Sequence, residues 1–435
     1  MKKTFQSIGY KLLSTLVIAT TFPMLVYCFF FSYDMRKSAE NSYIEQTQHT
    51  WQIVSSNIEH SLSTSIDVAN KGIYLNGTLQ DLLFSRDGNA FSYAESANSS
   101  LLFSYMTNIY SLTPVYSGSL EIKGTPEGLV LVNDLFLEDY LTKVVPSEMP
   151  PSYEKEALKA QAVCARTYAY RQIQGNTYSQ YGAHVDDSTN FQVYNNTSAN
   201  DKSTQAVKET YGKMLFYEDK PIEAFYFSTS CGRTADAGVW GTDSGKYPYL
   251  RAVEVKEGGK SLGKEDNDGF ESYIKREDVI AYDTSYPMFR WQTDLPADVA
   301  SAQISGAGQI QDMTVTDRGP GGIAGELTVT GSDGTVTIKG QSAIRSALGN
   351  PSLIITKKDG GTMTGSATLP SAFIAIEKRT GEDGSLSFHI YGGGFGHGVG
   401  MSQNGAQGMA KTGKGYKQIL DFFYHGTELR ECNEG

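Results

Sequence analysis

Apolar and polar residues change their spacing several times along the chain. From Leu12 to Tyr33 there are 22 consecutive residues without a charge (LLSTLVIATTFPMLVYCFFFSY), enough for a helix to cross about 30 Å of hydrocarbon. Between Tyr43 and Ala69, Trp51, Ile53, Val54, Ile58, Leu62 and Ile66 recur at intervals of three and four, which predicts an amphipathic helix. From about Val115 the period shortens to alternation. SLEIKG, GLVLVN, MLFY and AFYFSTS read as strands, and QIQDMTVTD, GELTVTG and TVTIKG predict a small β region over 308–356 with a short helix at GQSAIRSAL. Pro146, Pro150 and Pro151 bracket a turn. A helix is expected after it, from Tyr153 to about Gln174, with Ser152 as cap, Glu154 and Glu156 near its positive end and Gly175 as stop.

These elements predict an α+β protein in three parts: residues 1–37 as a cytoplasmic tip and transmembrane helix, 38–114 as a helical stalk, and 115–435 as an exported α+β domain with a small β-rich subregion. Charge supports that orientation. Residues 1–37 hold Lys2, Lys3, Lys11, Arg36 and Lys37 against Asp34, within a chain of net charge −11, so the positive-inside rule keeps the N-terminus in the cytoplasm. A cleavable signal peptide would have a shorter apolar core and a small-x-small site, and a lipoprotein signal would not place Tyr27 before Cys28. An anchored, single-pass cell-membrane protein is the expectation. The acidic balance argues against a general nucleic-acid binder, and 40% hydrophobic with 11% aromatic residues excludes wholesale disorder. Cys164, Cys231 and Cys432 beyond the anchor are too few for a disulfide framework, and whether Cys231 pairs with Cys432 stays open.

One carboxylate stands out, Glu148, set between apolar and proline residues before a helix. Burial there would favour its protonated form and the helix N-terminus its charged form, the balance a general acid and base needs; a solvated cap is the plainer reading. Gln161 and Arg166 share the following helix, Ser228, Thr229 and Ser230 end an apolar strand, and Gln403 follows Ser402 at the start of a helix. Hydroxyls and amides suit sugar hydroxyls, while helix packing for Gln161 and a structural role for Arg166 compete. His397 lies among glycines from Gly392 to Gly400, as a sugar ligand, an orienter of Glu148 or a structural hydrogen-bonder. No GxGxxG register or following Lys-Ser fits, so nucleotide binding is excluded.

Three blocks, FLEDYLTKVVPSEMPPSYEKEALKAQAVCARTYAY, FYFSTSCGRTADAGVWG with PYLRAVEV, and GGGFGHGVGMSQNGAQGMAKTGKGYKQILDFFYHGTEL, resemble in order those of the stage II sporulation protein D family, over about residues 116–432. The resemblance implies lytic transglycosylase activity on peptidoglycan glycan strands, with sporulation members preferring strands stripped of stem peptides, and Glu148 as catalytic acid. It implies a cell-wall amidase and other engulfment proteins as possible partners, and needs no cofactor. A silent glycan-binding, amidase-enhancing module is the alternative. The N-terminal part resembles the extracytoplasmic input region of sensor histidine kinases, but no kinase follows, and a stalk is the preferred reading. Some family members hold zinc through His and Cys after the first helix. Here His184 remains, but the two cysteine positions are Asp186 and Phe191, and one His with Asp186 and Asp187 falls short of the usual tetrahedral set. No metal is expected.

Overall fold

The computed structural model describes residues 117–125, 128–195 and 200–432, with the backbone of four short strands between residues 73 and 93. The expected anchor at 12–33 and the amphipathic helix at 43–69 lie outside the described residues. Among the described helices, none is long and apolar enough to cross a membrane. The chain divides into two units, Met1–Val144 with Gly175–Ser198, and Val145–Gln174 with Ala199–Gly435.

In the first unit, β1 (Ile73–Leu75) pairs with β2 (Thr78–Gln80), and β3 (Phe84–Asp87), β4 (Ala90–Tyr93), β5 (Ser119–Thr125) and β6 (Gly128–Asp134) form an antiparallel sheet in chain order. The expected helical stalk therefore gives way to strands from Ile73 onward, and β4 pairs with β5 across the expected boundary at 114. The Asp87-Gly88-Asn89 run between alternating Phe84, Arg86 and Phe91, Tyr93 is a hairpin pattern. Helix α1 (Leu137–Glu148) follows and runs through Pro146 to end on Glu148. The segment expected to turn is thus helical for its first half.

The second unit is built around α2 (Lys155–Ile173). Ala157, Ala160, Ala162, Ala165 and Ala169 are all buried on it, and such small side chains let neighbours approach its backbone closely. It packs on α3 (Asp201–Glu209) and on β7 (Lys213–Tyr217), whose Leu215 amide donates to Thr167 Oγ1 at 3.1 Å. The expected Ser152 cap is not used. Helix α2 starts two residues later, after Glu154, whose amide donates to Gln407 Oε1 at 2.7 Å.

β7 lies between β8 (Lys220–Pro221) and the C-terminal β19 (Glu428–Glu431). β9 (Tyr226–Phe227) pairs in parallel with β18 (Met401–Ser402). After α4 (Asn267–Ile274), strand β10 (Trp291–Pro296) enters a five-stranded sheet with β14 (Ile354–Lys357), β15 (Thr362–Thr364), β16 (Ile374–Thr380) and β17 (Leu386–Gly392), in the order β15-β14-β10-β17-β16. Between β10 and β14 come α5 (Ala297–Gln303), the meander β11 (Ile310–Arg318), β12 (Ala324–Gly331), β13 (Gly334–Lys339) and α6 (Gln341–Leu348). The small β region expected over 308–356 is real up to α6. Its last residues belong to β14 of the larger sheet. Helices α7 (Gln403–Lys411) and α8 (Tyr416–Phe423) close the unit.

Candidate active site

Ser402 caps α7 through its side chain, accepting from the Gly405 amide at 3.1 Å. Short polar side chains at that position satisfy an otherwise unpaired helix donor. The cap sets which side chains of α7 face α2. Asn404 and Gln407 meet the turn between α1 and α2, where the Tyr153 hydroxyl donates to Asn404 Oδ1 and the Glu154 amide to Gln407 Oε1. Asn404 Nδ2 in turn donates to Thr229 Oγ1 at 2.7 Å, and Thr229 Oγ1 lies 3.2 Å from Ser228 Oγ. About two turns along α2, Gln403 Nε2 donates to Gln161 Oε1 at 3.4 Å, while the buried Gln161 Nε2 has no partner in the protein. The result is a row of hydroxyls and amides, Tyr153, Asn404, Thr229 and Ser228, with the Gln161–Gln403 pair alongside. Glu148, half-buried, ends α1 five residues before Tyr153.

Of the residues singled out from sequence, Gln161, Gln403 and Ser228 fall in this arrangement. Arg166, Ser230 and His397 do not, and the reasons are physical. Arg166 is 1% exposed, and its guanidinium donates to the carbonyls of Val207 and Lys213, both at 3.2 Å, and to Thr210 Oγ1 at 3.4 Å. It serves the C-terminal end of α3. Ser230 is fully buried, and its hydroxyl accepts from the Gly232 amide at 2.9 Å. His397 takes the structural alternative. The Val399 amide donates to Nδ1 at 3.2 Å, leaving Nε2 to donate to the Tyr226 carbonyl at 2.9 Å. Burial among Phe225, Phe227 and Trp240 pushes its pKa down to about 4, so the ring is neutral with both nitrogens committed.

Glycine holds this segment in shape. Gly400 has φ +76°, and a Cβ there would stand 2.0 Å from the Phe225 carbonyl oxygen. Sequence reasoning passed over Tyr153, Asn404, Gln407 and Asp283. Asn404 and Gln407 lie one and four residues after Gln403 in the same helix, so the Ser402 cap carried that signal. Asp283, in a loop without regular structure, had none.

No metal set forms here. Among the described residues no group of three or more His, Cys, Asp or Glu side chains is placed to hold a metal ion. Both Asp186 oxygens accept hydrogen bonds, Oδ1 from the Ser188 amide and hydroxyl at 2.9 and 2.7 Å, Oδ2 from the Tyr178 hydroxyl at 2.8 Å and Asn190 Nδ2 at 3.2 Å. Phe191 packs against Tyr178 with ring centroids 5.7 Å apart. Burial alone would raise the Asp186 pKa, but these donors outweigh it and hold it low. The donor set that zinc requires is absent from these two positions. Cys164, Cys231 and Cys432 are free thiols, and burial pushes Cys164 up to about 12 and Cys231 to about 11, which leaves no ready nucleophile at either.

Residues 125–217 match a family model described as stage II sporulation protein, and residues 237–400 match one described as a domain of unknown function. The chain is 32% identical to stage II sporulation protein D of Bacillus subtilis (strain 168), covering 74% of this chain and 84% of that protein. The same protein from Bacillus amyloliquefaciens is 32% identical, covering 69% and 76%. The amidase enhancer of Bacillus subtilis (strain 168) is also 32% identical, over 66% of this chain and 40% of that protein.

Proposed function

Because the chain belongs to the stage II sporulation protein D family, with a cell-wall-related role in sporulation, we propose that it is a membrane-anchored peptidoglycan lytic transglycosylase. The observation that carries this reading is a half-buried Glu148 whose following turn is fastened to a row of sugar-compatible hydroxyls and amides. A single carboxyl suffices for the chemistry. Protonated Glu148 gives its proton to the glycosidic oxygen as the bond to the anomeric carbon breaks. The muramic C6 hydroxyl then attacks that carbon and returns its proton to Glu148, leaving an anhydro end with no water consumed. Hydrolytic glycosidases instead need a second carboxyl to activate water or to act as nucleophile. Ser228 and Tyr153, the partly exposed members of the row, can donate to and accept from sugar hydroxyls, backed by the buried Thr229 and Asn404. Strands stripped of stem peptides are the expected substrate.

The decisive test is mass spectrometry of glycan products from intact and amidase-treated peptidoglycan. Wild type releases anhydro ends. Glu148→Gln keeps shape but cannot donate the proton, so turnover drops at least about 100-fold while glycan affinity persists. Near-normal anhydro ends from a folded Glu148→Gln protein would defeat the mechanism. The relative named an amidase enhancer favours a second reading, in which the site binds glycan and assists an amidase; there Glu148→Gln leaves amidase stimulation intact. We further propose that residues 12–33 anchor the chain with its C-terminal domain outside the membrane. Protease added to protoplasts then removes that domain, and its full protection would sink the assignment.

A further inference from the structure

Beneath the polar row lies a carboxylate that the proposed chemistry does not use. Asp283, in the loop between α4 and β10, is 0% exposed. Its Oδ2 accepts from the Ser230 amide at 2.8 Å and from the Ser402 hydroxyl at 2.9 Å, and its Oδ1 is buried without a partner in the protein. A buried carboxylate that no cation neutralises is costly. An asparagine would accept the same two hydrogen bonds without a charge, so tying two donors together does not by itself account for an aspartate.

Those donors belong to the two segments that form the row. Ser230 ends the run carrying Ser228 and Thr229, and Ser402 caps the helix carrying Asn404 and Gln407. The segments are further joined where the Ser230 amide also reaches Ser402 Oγ at 3.2 Å and the Asn404 amide donates to the Ser228 carbonyl at 2.9 Å. Asp283 therefore sits where strand end and helix start meet. Three residues on, Tyr286 lies with its ring 6.3 Å from that of Tyr153, so the same loop holds Ser230 and Ser402 behind the row and meets the row itself at Tyr153.

We propose that Asp283 is the positioning residue of this site, its carboxyl group clamping the strand end to the helix start from below so that the buried Thr229 and Asn404 hold Ser228 and Tyr153 as one fixed hydrogen-bonding edge. As a role in glycan cleavage this rests on the function proposed above, whereas the clamp itself does not. Asp283 is too deeply buried to touch a glycan and acts only through Ser230 and Ser402.

The titratable groups facing Asp283 are Cys231, next to Ser230, and Tyr286 on its own loop. The capping Ser402 does not titrate. Burial pushes the Cys231 thiol up to about 11 and lifts the Tyr286 phenol above its ordinary range, and the guanidinium groups of Arg233 and Arg290 that face Cys231 are permanent cations. Burial also pushes Asp283 up to about 6, so within this group it alone changes charge between about pH 5 and 8.

Hydrogen exchange of the full chain in detergent, read by mass spectrometry and corrected for intrinsic rates, tests the clamp on peptides containing Ser230 and Gly405. A carboxyl whose pKa is higher in the closed state than free is ionised at the expense of that state. In wild type, protection of both peptides falls together, at least about threefold, as pH is raised through about 6. In Asp283→Asn it no longer depends on pH. No pH dependence in wild type, or an unchanged one in Asp283→Asn, overturns the proposal. Should Asp283→Asn fail to fold, Ser402→Ala decides instead, since it is expected to abolish the response at the Gly405 peptide and keep it at the Ser230 peptide; an unaltered response at both is fatal. In the activity arm, Asp283→Ala, which removes the shared acceptor, slows release of anhydro ends at least about tenfold with glycan affinity within about twofold, whereas Asp283→Asn, which keeps it, stays within about threefold of wild type and loses the wild-type change near pH 6; an unslowed Asp283→Ala overturns the positioning role. If wild type releases no anhydro ends at all, the glycan-cleaving reading fails, while the exchange result still judges the clamp.

Discussion

The Arg166 guanidinium, at 1% exposure, gathers the Val207 and Lys213 carbonyls and the Thr210 hydroxyl into one buried knot. Replacing it by Met fills the volume but takes the guanidinium donors from the Lys213 carbonyl and the Thr210 hydroxyl, while the Val207 carbonyl keeps the Thr210 amide at 3.2 Å. Each unsatisfied buried group costs about 1–3 kcal/mol, so Arg166→Met is expected to lower the urea-derived unfolding free energy by roughly 3 kcal/mol. A change below about 1 kcal/mol would show that the guanidinium is dispensable. In sequence Arg166 was indistinguishable from a ligand, because its partners lie some 40 residues away and only the packing of α3 on α2 brings them in. Gln161, five residues earlier on the same helix, read the same way and does meet a polar partner. The two differ in what the neighbouring helix offers, which spacing along α2 does not record. Asp186 repeats the lesson in the first unit. Its sequence position shows what is missing for zinc, and only the structure shows that Ser188, Tyr178 and Asn190 close around it. Prolonged dialysis against a chelator is therefore expected to leave the unfolding midpoint unchanged, and stoichiometric zinc that vanishes in His184→Ala would contradict this.

Among the elements, periodicity made β5, β6, β7 and β11–β13 legible, and the Ser402 cap made α7 so. It failed where pairing is remote or punctuation ambiguous. The strands of the five-stranded sheet are separated by a complete inserted meander, and Pro146 in α1 looked like a helix breaker although the helix runs on to Glu148. The parallel pair β9 and β18 is too short to be seen as strand pairing in any window, yet it aligns the two segments of the polar row. Its fit depends on Gly400. Gly400→Ala combines a left-handed backbone with a Cβ 2.0 Å from the Phe225 carbonyl oxygen, so a loss of more than about 2 kcal/mol is expected. Circular dichroism melts would reveal it, and an unshifted melt would mean that the segment can re-route.

At the scale of the whole molecule, the half-buried His397 and the buried Asp283 pull stability in opposite directions as pH falls. His397, with its pKa pushed down to about 4 from 6.5, binds fewer protons folded than unfolded across that interval, so acidification through it removes roughly 3 kcal/mol. Asp283, pushed up to about 6 from 3.8, binds more protons folded than unfolded, so the same acidification restores a similar roughly 3 kcal/mol. Together they nearly cancel. Asp283→Asn removes only the restoring part and is expected to lose roughly 3 kcal/mol more than wild type between neutral pH and about pH 4. Urea titrations at the two pH values measure this, and parallel losses in both proteins would refute the opposition.

The link from Tyr153 to Asn404 spans 251 positions, and that separation has a consequence in time. A ribosome adding about 5–20 residues per second finishes Glu148 some tens of seconds before it reaches the helix that fastens the turn beside it. During that interval the nascent chain carries its acidic residue without the row that would hold a sugar. A chain cut short anywhere before Gln403 lacks both Asn404 and Gln407, so on the function proposed above it is expected to release no anhydro ends.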